Sequence, residues 1–194
     1  MRLFVAVDLD EASRQAAARL AAGLARQIEE QIRPTPRIGW VTGERMHLTL
    51  RFIGEVDDQV ASEIRRVLEP AYAAPVFDLE LRGVGMFPPS GSPRVIWIGV
   101  TRGADSLARL NRLVEDRLAP FGLEKEERPF PVHLTLGRVR ERGSAALRAR
   151  LAGARFEPRT SRVTHVTLYQ SRLSPKGPTY VPIVKAPLRS QECS

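Results

Sequence analysis

The 194-residue chain has one cysteine, Cys193, beside its C-terminus. A lone thiol excludes a disulfide framework and a cysteine-based zinc site. A reducing, cytoplasmic setting is the expectation. Lysine is scarce, at Lys125, Lys176 and Lys185 alone. A mechanism through an activated lysine nucleophile therefore has few candidates, and none has a fitting setting. Aromatic residues make up 6% and are scattered along the chain, as at Phe52, Phe130, Tyr169 and Tyr180. A non-catalytic module that stacks single-stranded nucleic acid calls for clustered aromatics, so that reading is poorly supported. No apolar run approaches the roughly 18 residues of a transmembrane helix. Asp8, Asp10 and Glu11 come too early for a secretory signal. A Gly-rich phosphate loop ending in Lys-Ser/Thr is missing, and so is G-x-S-x-G.

Arginine and a repeat are what is present. The net charge is +8, and 27 of the 30 basic residues are arginine. Residues 1–97 carry 12 basic and 13 acidic side chains, and residues 98–194 carry 18 and 9. A basic half beside a near-neutral one suits a polyanion lying against one side. A stripe of solvated arginines gives the same count.

The chain contains its own plan twice. RLFVAV (2–7) reads as a strand, Asp10 as a helix cap, and Ala16, Leu20, Leu24 and Ile28 as an apolar helix face. A loop with Pro34 and Pro36 leads to HLTLRFIGEV (47–56). Asp57 and Asp58 can cap a helix bearing Val60, Ile64, Val67 and Leu68, and FDLELRGVGMF (77–87) closes as strand. After FPPSGSP (87–93), RVIWIGV (94–100) begins the plan again. Asp105 or Ser106 can cap a helix with Leu107, Leu110, Val114 and Leu118, ending near Gly122. A loop with Pro129 and Pro131 leads to HLTLGRV (133–139). Ser144 precedes a helix with Leu147 and Leu151, and RVTHVTLYQSRL (162–173) closes as strand. A hairpin around Lys176, Gly177 and Pro178 and a last strand at 180–184 complete the chain. The expected fold is α+β over 1–194, a single domain of two lobes, with the internal repeat spanning about 2–87 and 94–173. Two mostly antiparallel sheets would flank a central cleft across a pseudo-twofold axis, with helices outside.

Side chains alternate along a strand, so His47 and Thr49 share one face and Leu48 and Leu50 the other. The same holds for His133 and Thr135 over Leu134 and Leu136. Two such strands facing one another gather two imidazoles and two hydroxyls. Phosphodiester hydrolysis without a metal needs a proton acceptor for the attacking oxygen and a donor for the departing one, and histidine serves either. Threonine hydroxyls can bind non-bridging oxygens, and arginine can stabilise developing charge. Arg51 has the parity (47, 49, 51) to face the cleft. Arg138 has the wrong parity, which a bulge at Gly137 would correct. A single His-x-Thr is uninformative, but two identical tetrapeptides at equivalent places in a repeat are not, because packing alone does not preserve the polar residues. His165 has no partner motif and is read as structural. Two histidines on separate strands, without paired carboxylates nearby, make a poor metal site.

With these residues the sequence resembles the 2H phosphoesterases, and among them the bacterial and archaeal RNA 2′,3′-cyclic phosphodiesterases, long labelled 2′-5′ RNA ligases. The resemblance rests on RLFVAVDL, the W-V-x-x-E-x-x-HLTL-R-F-I-G-E-V block (40–56), R-V-I-W-I-G-V, R-P-F-x-x-HLTL-x-R-V (128–139) and S-x-L-x-x-x-G-P-x-Y (171–180). Val132 stands where the family commonly has proline. The resemblance implies a bilobal fold, no metal and no nucleotide cofactor. It implies hydrolysis of RNA or nucleotide 2′,3′-cyclic phosphate ends to 2′-phosphates. By the same resemblance His47, Thr49, His133 and Thr135 carry the chemistry and Arg138 contacts phosphate, with His133 as base and His47 as acid. The residues themselves do not fix which histidine plays which part. Ligation forming 2′-5′ linkages, the reverse chemistry, would use the same residues. A monomer with no membrane partner is the expectation.

Overall fold

A computed structural model describes residues 1–123, 132–141, 143–174 and 177–189. The loop expected at Pro129 and Pro131, the middle of the hairpin at Lys176, and Cys193 lie outside the described residues. Among the described helices none is long and apolar enough to cross a membrane.

The chain runs β1 (Arg2–Asp8), α1 (Glu11–Gln31), β2 (Ile38–Trp40), β3 (His47–Glu55), α2 (Asp58–Leu68), β4 (Tyr72–Ala73) and β5 (Phe77–Phe87). It continues through β6 (Val95–Arg102), α3 (Ala104–Leu118), β7 (His133–Val139), α4 (Ala145–Ala152), β8 (Arg159–Val163), β9 (His165–Arg172) and β10 (Thr179–Arg189). The last strand is longer than the expected 180–184, because it pairs with β9 over nearly its whole length and with β4 at its end.

Local chemistry sets most boundaries. Asp10 accepts the Ser13 amide at 2.7 Å and starts α1. Asp57 and Ser144 do the same for α2 and α4, each accepting the amide three residues on. The start of α3 differs from expectation. Its N-cap is Gly103, with φ of 86°, so Asp105 and Ser106 lie inside the first turn. The buried face of α1 is Ser13, Ala17, Ala21, Leu24 and Ile28, not a strict four-residue series. At 3.6 residues per turn a repeated step of four drifts around the helix, whereas steps of four and three keep to one face. Ala16 and Leu20 flank that face, partly buried against the core.

Two five-stranded sheets form, in the orders β3-β1-β9-β10-β4 and β2-β7-β6-β5-β8. All described pairings are antiparallel except β10 with β4. The lobes do not coincide with the repeats. β5, which closes the first repeat, pairs with β6, and β9, which closes the second, pairs with β1. Helices are exchanged as well. α1 packs by β7 and β8, while α3 packs on β3. Each sheet thus buries its apolar face with elements from both halves. That exchange makes the lobes interdependent, and it brings β3 and β7 into contact with each other.

Candidate active site

On β3, Leu48 and Leu50 are buried while His47 and Thr49 are only partly so, the alternation the sequence implies. The alternation then breaks. Arg51 pairs with Val5 but Thr49 with Ala6, so two residues of β3 oppose one of β1. This β-bulge flips the parity of Arg51 and Phe52, and a second register shift follows between Phe52 and Gly54. Arg51 turns inward at 6% exposure, and its Nε lies 2.9 Å from Glu115 Oε1 on α3. Asn111 of the same helix donates its side-chain N–H to the Leu50 carbonyl at 2.7 Å. Arg51, expected in the cleft, is therefore a buried anchor, and Phe52 takes the cleft position.

β7 carries the matching bulge. Gly137 pairs with Ile96 and Thr135 with Trp97. The Leu136 carbonyl accepts the Val41 amide at 2.8 Å. Space is tight here, since a Cβ on Gly137 would lie 3.0 Å from the Trp40 ring and 3.1 Å from Ile38, and both would have to give by a few tenths of an ångström. The flip turns Arg138 toward the cleft.

His47, Thr49, His133, Thr135 and Arg138 line one open cleft of about 850 Å³ between the sheets. Residues that pattern reading missed surround them. Phe4 stacks on the His47 ring at 4.8 Å between centroids, and Tyr180 meets that ring edge-on at 5.2 Å. Tyr169 stacks on Phe4 at 5.1 Å. Aromatics scattered in sequence thus cluster in space around one histidine. On the other side Phe87 meets His133 edge-on at 5.1 Å. Arg2 and Arg45 add positive charge to the lining. The parity of β1 (4, 6, 8) was the available signal for Phe4 and Asp8. His165 is exposed on β9, with its Nδ1 2.7 Å from Thr164 Oγ1, and does not line the cleft.

The two histidines have different surroundings. Asp8 is the cross-strand partner of His47, whereas Gly99 is that of His133. The Asp8 carboxylate accepts from Thr167 Oγ1 at 2.8 Å and the Tyr169 hydroxyl at 2.5 Å. Burial raises the Tyr169 phenol above its ordinary range, as do the hydrogen bond to Asp8 and its charge, so Tyr169 stays a donor. His47 is pushed down from 6.5 to about 4, chiefly by burial. A hydrogen bond to the Arg45 backbone and the Asp8 charge oppose that shift. Among the described residues no group of three or more His, Cys, Asp or Glu is placed to hold a metal ion.

The anchor role of Arg51 has a measurable consequence. Arg51→Ala leaves Glu115 largely buried without this cation, and stability falls by about 2–4 kcal/mol. Urea unfolding checks it, and adding Glu115→Ala recovers part of the loss. A cleft arginine would instead lose activity at nearly unchanged stability.

The chain is similar to known proteins over most of its length. The model of the 2′-5′ RNA ligase superfamily matches residues 22–174. An RNA 2′,3′-cyclic phosphodiesterase of Archaeoglobus fulgidus is 35% identical over 93% of this chain and 96% of that protein. One from Thermotoga maritima is 34% identical over 93% and 91%. A crystal structure of a Thermus thermophilus protein superposes with a TM-score of 0.76 at 27% identity, covering 99% of this chain and 100% of that one. E. coli LigT complexed with 3′-AMP gives 0.68 at 26% identity over 96% and 97%. With two HLTL strands facing across one cleft and relatives matched nearly end to end, the chain belongs to the 2′-5′ RNA ligase superfamily, within its RNA 2′,3′-cyclic phosphodiesterase family.

Proposed function

We propose that this enzyme hydrolyses RNA 2′,3′-cyclic phosphate ends to 2′-phosphomonoesters by a metal-independent, two-histidine mechanism. The observation that carries the reading is the meeting of both His-x-Thr pairs and Arg138 in one cleft. In the proposed step a water oxygen bonds to phosphorus as the P–O3′ bond breaks. His133 takes the proton from water and His47 gives one to O3′. Thr49, Thr135 and Arg138 bind the non-bridging oxygens, where negative charge is concentrated.

The unequal settings of the histidines support this division. Burial keeps His47 neutral near pH 7. An anionic phosphate beside it, added to Asp8, favours the imidazolium. Substrate binding would thus charge the acid.

The test incubates an RNA ending in 2′,3′-cyclic phosphate with the enzyme in EDTA and identifies the product end. A 2′-phosphate, at an undiminished rate, is expected. A 3′-phosphate would reverse which oxygen leaves. Loss in EDTA with recovery on adding a divalent ion would overturn metal independence. Adding an RNA with a free 5′-hydroxyl tests ligation, which would appear as a 2′-5′ linked product.

A further inference from the structure

The two histidines are walled in differently. Around His47 the rings are Phe4, Tyr169 and Tyr180, carried within paired stretches of β1, β9 and β10. Beside His133 they are Trp97 and Phe87, with ring centroids 6.3 and 5.1 Å away. Trp97 is set by the sheet, because its ring lies over Gly85, where an added Cβ would come within 2.2 Å of it. Phe87 is the last residue of β5, at the brink of the loop that leads to β6.

That loop has little of its own to hold it. Residues 88–91 are exposed, and Pro88, Pro89 and Pro93 bring no N–H to a hydrogen bond. Its base is closed by the Arg94 amide, which donates to the Phe87 carbonyl at 2.7 Å. Its outer turn is gripped by one side chain of α4. Arg148 donates from Nε to the Gly91 carbonyl at 2.6 Å, from Nη1 to that of Pro89 at 3.0 Å and from Nη2 to that of Pro88 at 2.9 Å. A guanidinium is a planar, permanently charged fork, so three carbonyls bound to it at once are fixed relative to one another. The fork is itself anchored. Leu147 beside it is fully buried, and Ser144 caps the helix. The chain just ahead of α4 runs so close to the loop that a Cβ on Gly143 would lie 2.8 Å from Pro93. The exposed turn buries no apolar surface that would call for such a grip. What gains a fixed place is Phe87, which lines the cleft and meets the His133 ring at 83° between planes.

We propose that Arg148 is a positioning residue for the proposed base: it fixes the 88–91 loop, the loop fixes Phe87, and Phe87 holds the His133 ring in line with the attacking water. The inference rests on the reading of His133 as proton acceptor given above. Misplacing a reacting group by about 1 Å can cost about 100-fold, so a clamp outside the cleft can govern the rate.

The test measures kcat and KM on a nucleoside 2′,3′-cyclic phosphate for Arg148→Ala, Phe87→Ala and the double variant. Arg148→Ala lowers kcat roughly 5- to 50-fold with KM changed by less than about 3-fold, since the groups proposed to bind phosphate are untouched. Arg148→Lys, with donors for part of the set, recovers part of the loss. A smaller folded fraction would also lower kcat alone, so rates are scaled to the folded fraction by circular dichroism, and the double variant decides. If Arg148 acts through Phe87, adding Arg148→Ala to Phe87→Ala costs less than about 2-fold more. Losses that multiply, an effect on KM alone or an unchanged kcat would each overturn the clamp. Should Arg148→Ala not fold, Arg148→Gln, which keeps a side-chain donor, takes its place in the cycle. If His133→Ala keeps the wild-type rate, the base reading itself fails. If His133→Ala is inactive while Arg148→Ala matches wild type, that reading stands and the clamp alone fails.

Discussion

His47→Ala and His133→Ala each lower turnover of a 2′,3′-cyclic phosphate about 100- to 10,000-fold, the usual cost of removing a general acid or base. Both side chains reach the shared cleft from facing strands, and neither lies in the buried leucine layer. Loss of activity should therefore occur without loss of the fold. His47 packs against the Phe4 and Tyr180 rings, so His47→Gln is a useful companion that keeps more of the volume. Thr49→Ala and Thr135→Ala each remove one proposed hydrogen bond to phosphate, and cost less than either histidine. His165→Ala, on the exposed side of β9, should leave the rate nearly unchanged. The measurement is initial rate with circular dichroism on each variant. A histidine variant that keeps its fold and more than about a tenth of the rate would remove that histidine from the proton transfers.

What was legible follows from how far each signal reaches along the chain. Capping is local, so Asp10, Asp57 and Ser144 were visible as helix starts. The Gly103 start of α3 was not, because it has no side-chain cap to recognise. Alternation within HLTL is also local, and it placed His47 and Thr49 opposite Leu48 and Leu50. One residue later the argument needed the partner strand. A bulge is a mismatch between two strands, and nothing in HLTLRF announces it. Hence Arg51 was expected in the cleft and Phe52 was passed over. At Gly137 the glycine itself hinted at the bulge, and there the reading of Arg138 anticipated its place. The exchange of β5 and β9 between sheets is a matter of long-range pairing, which a repeat in sequence does not encode.

The repeat also conceals how unlike its halves have become. Equivalent positions hold Asp8 and Gly99, Arg51 and Gly137, Phe52 and Arg138. The proposed reaction is itself asymmetric, since one histidine must begin neutral and the other protonated. In a strictly symmetric cleft only the substrate could bias that choice. Identical HLTL strands supply the groups, and the substitutions around them supply the difference in environment.

Acid should weaken the wild-type fold through His47 in particular. Its folded value of about 4 lies below the ordinary 6.5. Between those values the unfolded chain binds a proton that the folded chain does not, so stability rises with pH across the window. The contribution is fully present above pH 6.5 and is lost as pH falls through about 4. Its size is at most about 3.5 kcal/mol, since each unit of difference is worth about 1.4 kcal/mol. His47→Gln removes the titrating ring and with it this part of the acid sensitivity. The check is urea unfolding of both proteins at about pH 7 and about pH 4. Wild type should lose about 2–3 kcal/mol more than His47→Gln over that interval. Equal losses would mean that burial among Phe4, Tyr169 and Tyr180 does not hold the ring neutral. The imidazole would then be free to carry a proton before any phosphate arrives, and the proposed charging of the acid by its own substrate would fall with it.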